Sequence, residues 1–236
     1  MRDTFQDELD RVGSQLVEMT NLAGLALSRA TAALMNADIK SAEAVIDDDS
    51  HIDWIRSDIE QQAFGLLARE QPVATDLRIV VTALQMALDL ERMGDLAAHI
   101  AKVARLRYPK QALPEPILPI IQQMAESAGR NVAKASTTIA SRDADRAQEL
   151  ATDDDKVDAL HRALFQAVLG PEWTYGIEAA VDVTLLGRYY ERYSDHTVAL
   201  ARRIIYVVTG VPTVGDSDAT TAIGPARTPN REDEVP

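Results

Sequence analysis

A chain of 236 residues, 46% hydrophobic and 26% charged, holds enough apolar material for one sizeable domain or two small ones and is not composed like a disordered chain. A formal net charge of −13 with no basic patch argues against nucleic acid as a partner, and the lack of cysteine excludes disulfides, thiolate metal sites and cysteine nucleophiles. The N-terminus MRDTFQDELDR is too charged for a signal peptide, and no apolar run approaches the roughly 18 residues of a membrane span, so the expectation is a cytoplasmic protein with no direct membrane insertion.

The first helix is marked by Phe5, Leu9, Val12, Leu16, Met19, Ala23, Ala26, Ala30 and Ala33, a seam of alternating four- and three-residue steps. Such a seam belongs to long helices packed nearly antiparallel in a bundle, and its alanines allow a neighbour to come close. Asn36-Ala37-Asp38 breaks the helix, with Asp38 placed as the N-cap of the next. The second helix is expected over about 38–69, and Pro72 is expected to start a third that runs to Arg107. YPKQALPEPILP then reads as a linker. Helices at about 117–141, 143–169 and 176–209 follow, and the Gly, Pro and small polar residues of the C-terminus read as a disordered tail.

The two halves repeat each other. RATAALMNADIKSAEAVIDDDSHID (29–53) aligns without gaps on KASTTIASRDADRAQELATDDDKVD (134–158), and ERMGD (91–95) falls on ERYSD (191–195). The two matches differ in offset, which predicts a shorter loop before the last helix. The fold class is therefore all-α, six helices forming two tandem, internally duplicated three-helix bundles. The divisions are 1–108 for the first repeat, 109–119 for the linker, 120–210 for the second repeat and 211–236 for the tail.

Each half carries two acidic pairs at i,i+4: Asp49/Asp53 with Glu91/Asp95, and Asp154/Asp158 with Glu191/Asp195. Such residues share a helix face, and like charges at that spacing repel. One pair in an acidic chain ordinarily reads as solvated surface. Recurrence in both halves, together with the position of Glu91 and Asp95 on the extension of the apolar stripe Leu77, Val81, Leu84, Leu88, favours a metal site or buried polar site. Oxygen-only ligands suit Mg²⁺, Ca²⁺, Mn²⁺ or iron. The ferritin-like Glu-x-x-His pattern is absent, since Gly94 and Ser194 stand three residues after the glutamates; His99 and His196 lie near enough to add ligands. His51 and His161 read as exposed polar positions, Tyr189, Tyr190 and Tyr193 as core or interface aromatics, and Arg92 and Arg192 as pointing off the carboxylate face into local ion pairs.

QPVATDLRIVVTALQMALDLERMGDLAAHIAK (71–102), YYERYSDHTVALARRIIYVVTG (189–210) and the repeated aspartates resemble the PhoU family of phosphate-uptake regulators over about residues 2–210. The resemblance implies multinuclear clusters of divalent or trivalent metal ions (iron, zinc, manganese or magnesium) held by Asp49, Asp53, Glu91, Asp95, Asp154, Asp158, Glu191 and Asp195. It also implies a cytoplasmic homodimer that links the ATPase subunit of the phosphate ABC transporter to a phosphate-sensing histidine kinase and restrains the phosphate-starvation response. A departure follows each motif: Leu96 stands after Asp95 where the family often has His, and the second half keeps His196 but continues with Ala199-Leu200. The competing readings are a metal-dependent phosphohydrolase and a metal-storage bundle. Against the hydrolase, no second acid/base group and no basic residue on the carboxylate face are evident.

Overall fold

The structure, a computed structural model, describes the backbone of residues 2–151 and 155–212, with side chains described from residue 5 and not at Ala151. Helix α1 spans Arg2–Asn36, α2 Ile39–Glu70 and α3 Thr75–Arg107. A 3₁₀ turn at Glu115–Ile117 leads into α4 (Leu118–Ser141), then α5 (Ala144–Ala151), α6 (Asp155–Leu169) and α7 (Gly176–Thr209). The segments α5 and α6 flank residues 152–154 and together take the place that α2 holds in the first half, so the plan is two tandem three-helix bundles. No strand occurs among the described residues.

The caps follow the duplication. Asp38 accepts from the backbone N–H of Lys40 (3.1 Å) and Ser41 (3.2 Å), and Asp143 accepts from Asp145 (3.0 Å) and Arg146 (3.1 Å). Each satisfies N–H groups that a helix start leaves open. The seam of α1 is buried at Leu9, Val12, Leu16, Met19, Ala23, Ala30 and Ala33. Between them Leu27 takes the buried place expected of Ala26, which is half-buried. A 3.6-residue turn drifts against a 3.5-residue pattern by that much over a few turns.

Two boundaries differ from expectation. Helix α3 starts at Thr75, not Pro72; Gln71 (φ 44°) and Ala74 (φ 49°) adopt left-handed backbone, and 71–74 make the reversal between α2 and α3. The loop before α7 is not shorter than its counterpart: it covers 170–175, and the missing residues come out of the helix. Gly170-Pro171 explains this, since proline cannot continue a helix and glycine readily ends one.

The halves share one core. Helix α1 packs on α4, where a Cβ on Gly24 would stand 3.1 Å from Val132, and α3 packs on α7. The linker joins this core through buried Ala112, Leu113 and Ile117. Gln111 donates to the carbonyls of Leu34 (3.3 Å) and Met35 (3.0 Å), closing the end of α1. Across α3 and α7 the contacts run in opposite directions: Arg78 donates to the Val207 carbonyl, Arg203 to Gln85, His99 stacks on Tyr189, and Arg107 pairs with Asp182. The two helices are antiparallel, related by a pseudo-two-fold near residues 92–96 and 192–196. Buried Asp89 accepts from Arg203 Nε (2.6 Å), and buried Asp182 accepts from Arg107 Nε (2.6 Å), one ion pair on either side of that axis.

Candidate functional site

Helices α2 and α3 place the four first-half carboxylates along one seam. Asp49, Glu91 and Asp95 are half-buried there and Asp53 is exposed. The seam lies at the surface, not inside the bundle. The stripe Leu77, Val81, Leu88 that leads into it is itself exposed, at 41%, 41% and 48%, with Leu84 half-buried. The packed face of α3 is instead Val80, Ala83, Ala87, Leu90, Gly94, Ala97 and Ala101. Helix α3 meets α1, α2 and α7, so its buried sector is wide, and the carboxylates border it.

Gly94 lets the seam close. A Cβ at that position would stand 3.0 Å from Asp49 Oδ1 and 2.9 Å from Ile52 Cδ1. Burial first, then the charges of Asp95 and Asp53, push the Asp49 carboxyl up to about 6. Burial and Asp95 likewise hold Glu91 above the ordinary range, partly offset by Arg92. Glu91 Oε2 is fully buried with no hydrogen-bond partner, and Arg92 Nε is 3.8 Å away, beyond hydrogen-bond reach. A desolvated, unpartnered carboxylate oxygen among three like charges is poor packing for a protein alone and suits a bound cation. Among the described residues no three carboxylate or imidazole groups already converge closely enough to enclose an ion.

The second seam, between α6 and α7, holds Asp158, Glu191 and Asp195; Asp154 lies outside the described residues. Glu191 accepts from Arg188 Nη1 at 2.6 and 2.5 Å. Burial, then Glu191, hold the Asp195 carboxyl above its ordinary range. Contrary to the expectation of an exposed position, His161 is half-buried in this seam, with Nε2 buried and unpartnered. Burial and then Arg188 lower its pKa, while Asp158 and Asp195 act the other way. A signal was available in the sequence: Gly187 stands where the first half has Ala87, and a Cβ there would meet His161 Cδ2 at 3.1 Å and Leu164 Cδ1 at 2.7 Å.

His99 and His196 do not join the seams. His196 Nδ1 lies 3.1 Å from Asp89 Oδ1, and His99 stacks on Tyr189 with ring centroids 5.4 Å apart. Arg92 and Arg192 point off the carboxylate face, as expected, and line the cleft between α3 and α7; the local ion pair expected of each is found for Arg92, with Glu91 at 3.8 Å, but not for Arg192 among the described residues. Tyr190 and Tyr193 are fully buried.

In chelator-treated protein the raised Asp49 carboxyl predicts a pH dependence. The native state takes up this proton near pH 6, the unfolded chain near 3.8. The contribution to stability is therefore complete below the unfolded value and is lost as pH rises through the folded one. The melting temperature followed by circular dichroism should rise as pH is lowered from 7 to 5, and a flat or falling profile would contradict it.

The comparisons agree with this duplicated build. The PhoU domain model matches residues 16–104 and again 121–204. The phosphate-specific transport system accessory protein PhoU homolog 2 of Mycobacterium tuberculosis is 45% identical over 210 residues, covering 89% of this chain and 99% of that protein. Homolog 1 of the same organism is 42% identical over 220 residues, covering 93% of this chain and all (100%) of its own. The crystal structure of the phosphate transport system regulatory protein PhoU from Streptococcus pneumoniae superposes with a TM-score of 0.81 at 28% identity, covering 89% of this chain and 99% of that one. PhoU from Pseudomonas aeruginosa gives 0.78 at 29% identity, covering 88% and 100%. With both halves matched by one domain model and relatives this similar aligned over nearly their whole length, the chain belongs to the PhoU family.

Proposed function

We propose that this chain is a negative regulator of phosphate uptake and of the phosphate-starvation response. It acts as a non-enzymatic adaptor between the ATPase subunit of a phosphate ABC transporter and a phosphate-sensing histidine kinase. The observation that carries the reading is the match of both halves to the PhoU domain, in a chain whose relatives are named as accessory proteins of phosphate-specific transport.

Surface chemistry supports an adaptor. Trp54 (63% exposed) and Phe64 (57%) on α2 join Leu77, Val81 and Leu88 on α3 in presenting apolar side chains to solvent. On the second repeat Ile177, Val181 and Leu185 do the same beside Trp173, around an open apolar cleft. Contiguous exposed apolar surface marks contact sites, here for the two partners and for a second copy in a homodimer. No helix among the described residues is long and apolar enough to cross a membrane.

In this reading Asp49, Asp53, Glu91 and Asp95 hold divalent or trivalent metal in the first seam, and Asp154, Asp158, Glu191 and Asp195 in the second. The metal supplies positive charge that offsets the crowded carboxylates and fixes α2 against α3. The protein purified without chelator should contain iron, zinc, manganese or magnesium by elemental analysis. Glu91→Ala plus Asp95→Ala should lose the first-seam share, and unchanged metal content would remove the ligand assignment. Deleting the gene should raise phosphate-starvation gene expression in phosphate-rich medium; no rise would sink the regulatory reading.

A further inference from the structure

Where the pseudo-two-fold passes between α3 and α7, the surface opens into a cleft of about 290 Å³. Its lining includes Arg92 and His99 from the first repeat and Arg188, Arg192 and His196 from the second; Asp95 is the carboxylate among them. Such a concentration of cationic groups is out of keeping with a chain of formal net charge −13.

The arginines differ in how they are satisfied. Arg188 is held by Glu191 at 2.6 and 2.5 Å and is neutralised locally. Arg192 makes no hydrogen bond or ion pair with the described residues, and Arg92 has only Glu91 at 3.8 Å. Asp95 is the one carboxylate lining the cleft, and Glu91 comes no nearer to Arg92 than 3.8 Å, so the guanidinium N–H groups of Arg92 and Arg192 remain open to an anion. Two guanidiniums approaching from antiparallel helices present planar forks, each matched to two oxygens of a tetrahedral oxyanion. A volume at the low end of small-molecule sites, which run from roughly 300 to 1,000 Å³, suits a small anion.

We propose that this cleft binds a small phosphoryl anion, clamped between Arg92 of the first repeat and Arg192 of the second. The inference rests on charge and geometry and is independent of the regulatory reading. Free inorganic phosphate and the phosphoryl group of a small metabolite share this chemistry.

The test is equilibrium dialysis of full-length, metal-free protein with radiolabelled inorganic phosphate at low salt, with pyrophosphate, AMP and sulfate as competitors. Saturable binding is expected, weakened at least about tenfold by Arg92→Gln plus Arg192→Gln, since each substitution removes charge-assisted hydrogen bonds. Arg105→Gln, which removes an exposed arginine outside the cleft, should leave it unchanged. Stronger competition by pyrophosphate or AMP than by phosphate would identify the metabolite source, and equal or weaker competition the free ion. Arg192→Gln alone serves if the double variant fails to fold, and a several-fold weakening is then expected. Three results would each overturn the proposal: no saturable binding of any phosphoryl probe, binding insensitive to the cleft arginines, or equal loss in Arg105→Gln. So would binding that requires added metal and disappears in Glu91→Ala plus Asp95→Ala, because the anion would then sit on the metal.

Discussion

Asp89→Ala should cost about 3 kcal/mol of unfolding free energy in urea titration, the low end of what breaking a buried ion pair costs. Asp89 is 8% exposed and accepts from Arg203 Nε at 2.6 Å, with His196 Nδ1 at 3.1 Å. Its removal leaves two basic side chains, 18% and 17% exposed, without their acid. Arg203 keeps its bond to Gln85 Oε1 (2.7 Å), which places the loss at the low end. The damage comes from the stranded charge more than from the missing attraction, so Asp89→Leu combined with Arg203→Met should recover most of it. A loss under about 1 kcal/mol would mean that water already screens the pair.

The two buried tyrosines predict effects of opposite sign. Tyr190 is fully buried and its hydroxyl lies 2.7 Å from Thr31 Oγ1 across the repeat boundary. Tyr190→Ala removes a large core side chain where α1, α4 and α7 share one core and should cost about 4 kcal/mol, in the range of aromatic-to-alanine core substitutions. Tyr190→Phe should cost only about 1 kcal/mol, since Thr31 keeps its bond to the Leu27 carbonyl. Tyr193 is also fully buried, but its hydroxyl has no partner, and burial raises its pKa far above the ordinary value. Tyr193→Phe deletes a desolvated, unsatisfied group and should stabilise by about 1 kcal/mol. Chemical denaturation of the three variants reads all of these, and destabilisation by Tyr193→Phe would show that the hydroxyl is satisfied in solution.

What the sequence disclosed and what it hid follow from range. The Asp38 cap, the α1 seam and the repeat of ERMGD in ERYSD are patterns within one helix or copied between halves, and all are visible along the chain. The acidic pairs are local for the same reason. Which face of α3 looks outward is not local: Leu77, Val81 and Leu88 are as apolar as the residues that pack, and only the positions of α1, α2 and α7 around the helix decide. The pairing of Asp89 with Arg203 and of Asp182 with Arg107 joins residues with no periodic relation, so nothing in the spacing announced it. His161 is announced only indirectly, by glycine at 187 where the first half has Ala87, and that signal can be read only once α6 is known to pack on α7.

The antiparallel meeting of α3 and α7 is the arrangement an isologous dimer of a single repeat would adopt, each copy offering the same helix to the other. Two separate identical copies would have to carry the same residue at both places. Joining them through 109–119 lifts that constraint while the geometry persists. His161 now stands where the first repeat has Arg56, Gly187 where it has Ala87, and Ser194 where it has Gly94. One seam offers oxygen donors alone, the other oxygen with an imidazole. Oxygen sets favour hard cations and imidazole draws borderline ones, so under the metal-holding role proposed above, fusion would let the two seams take unlike ions.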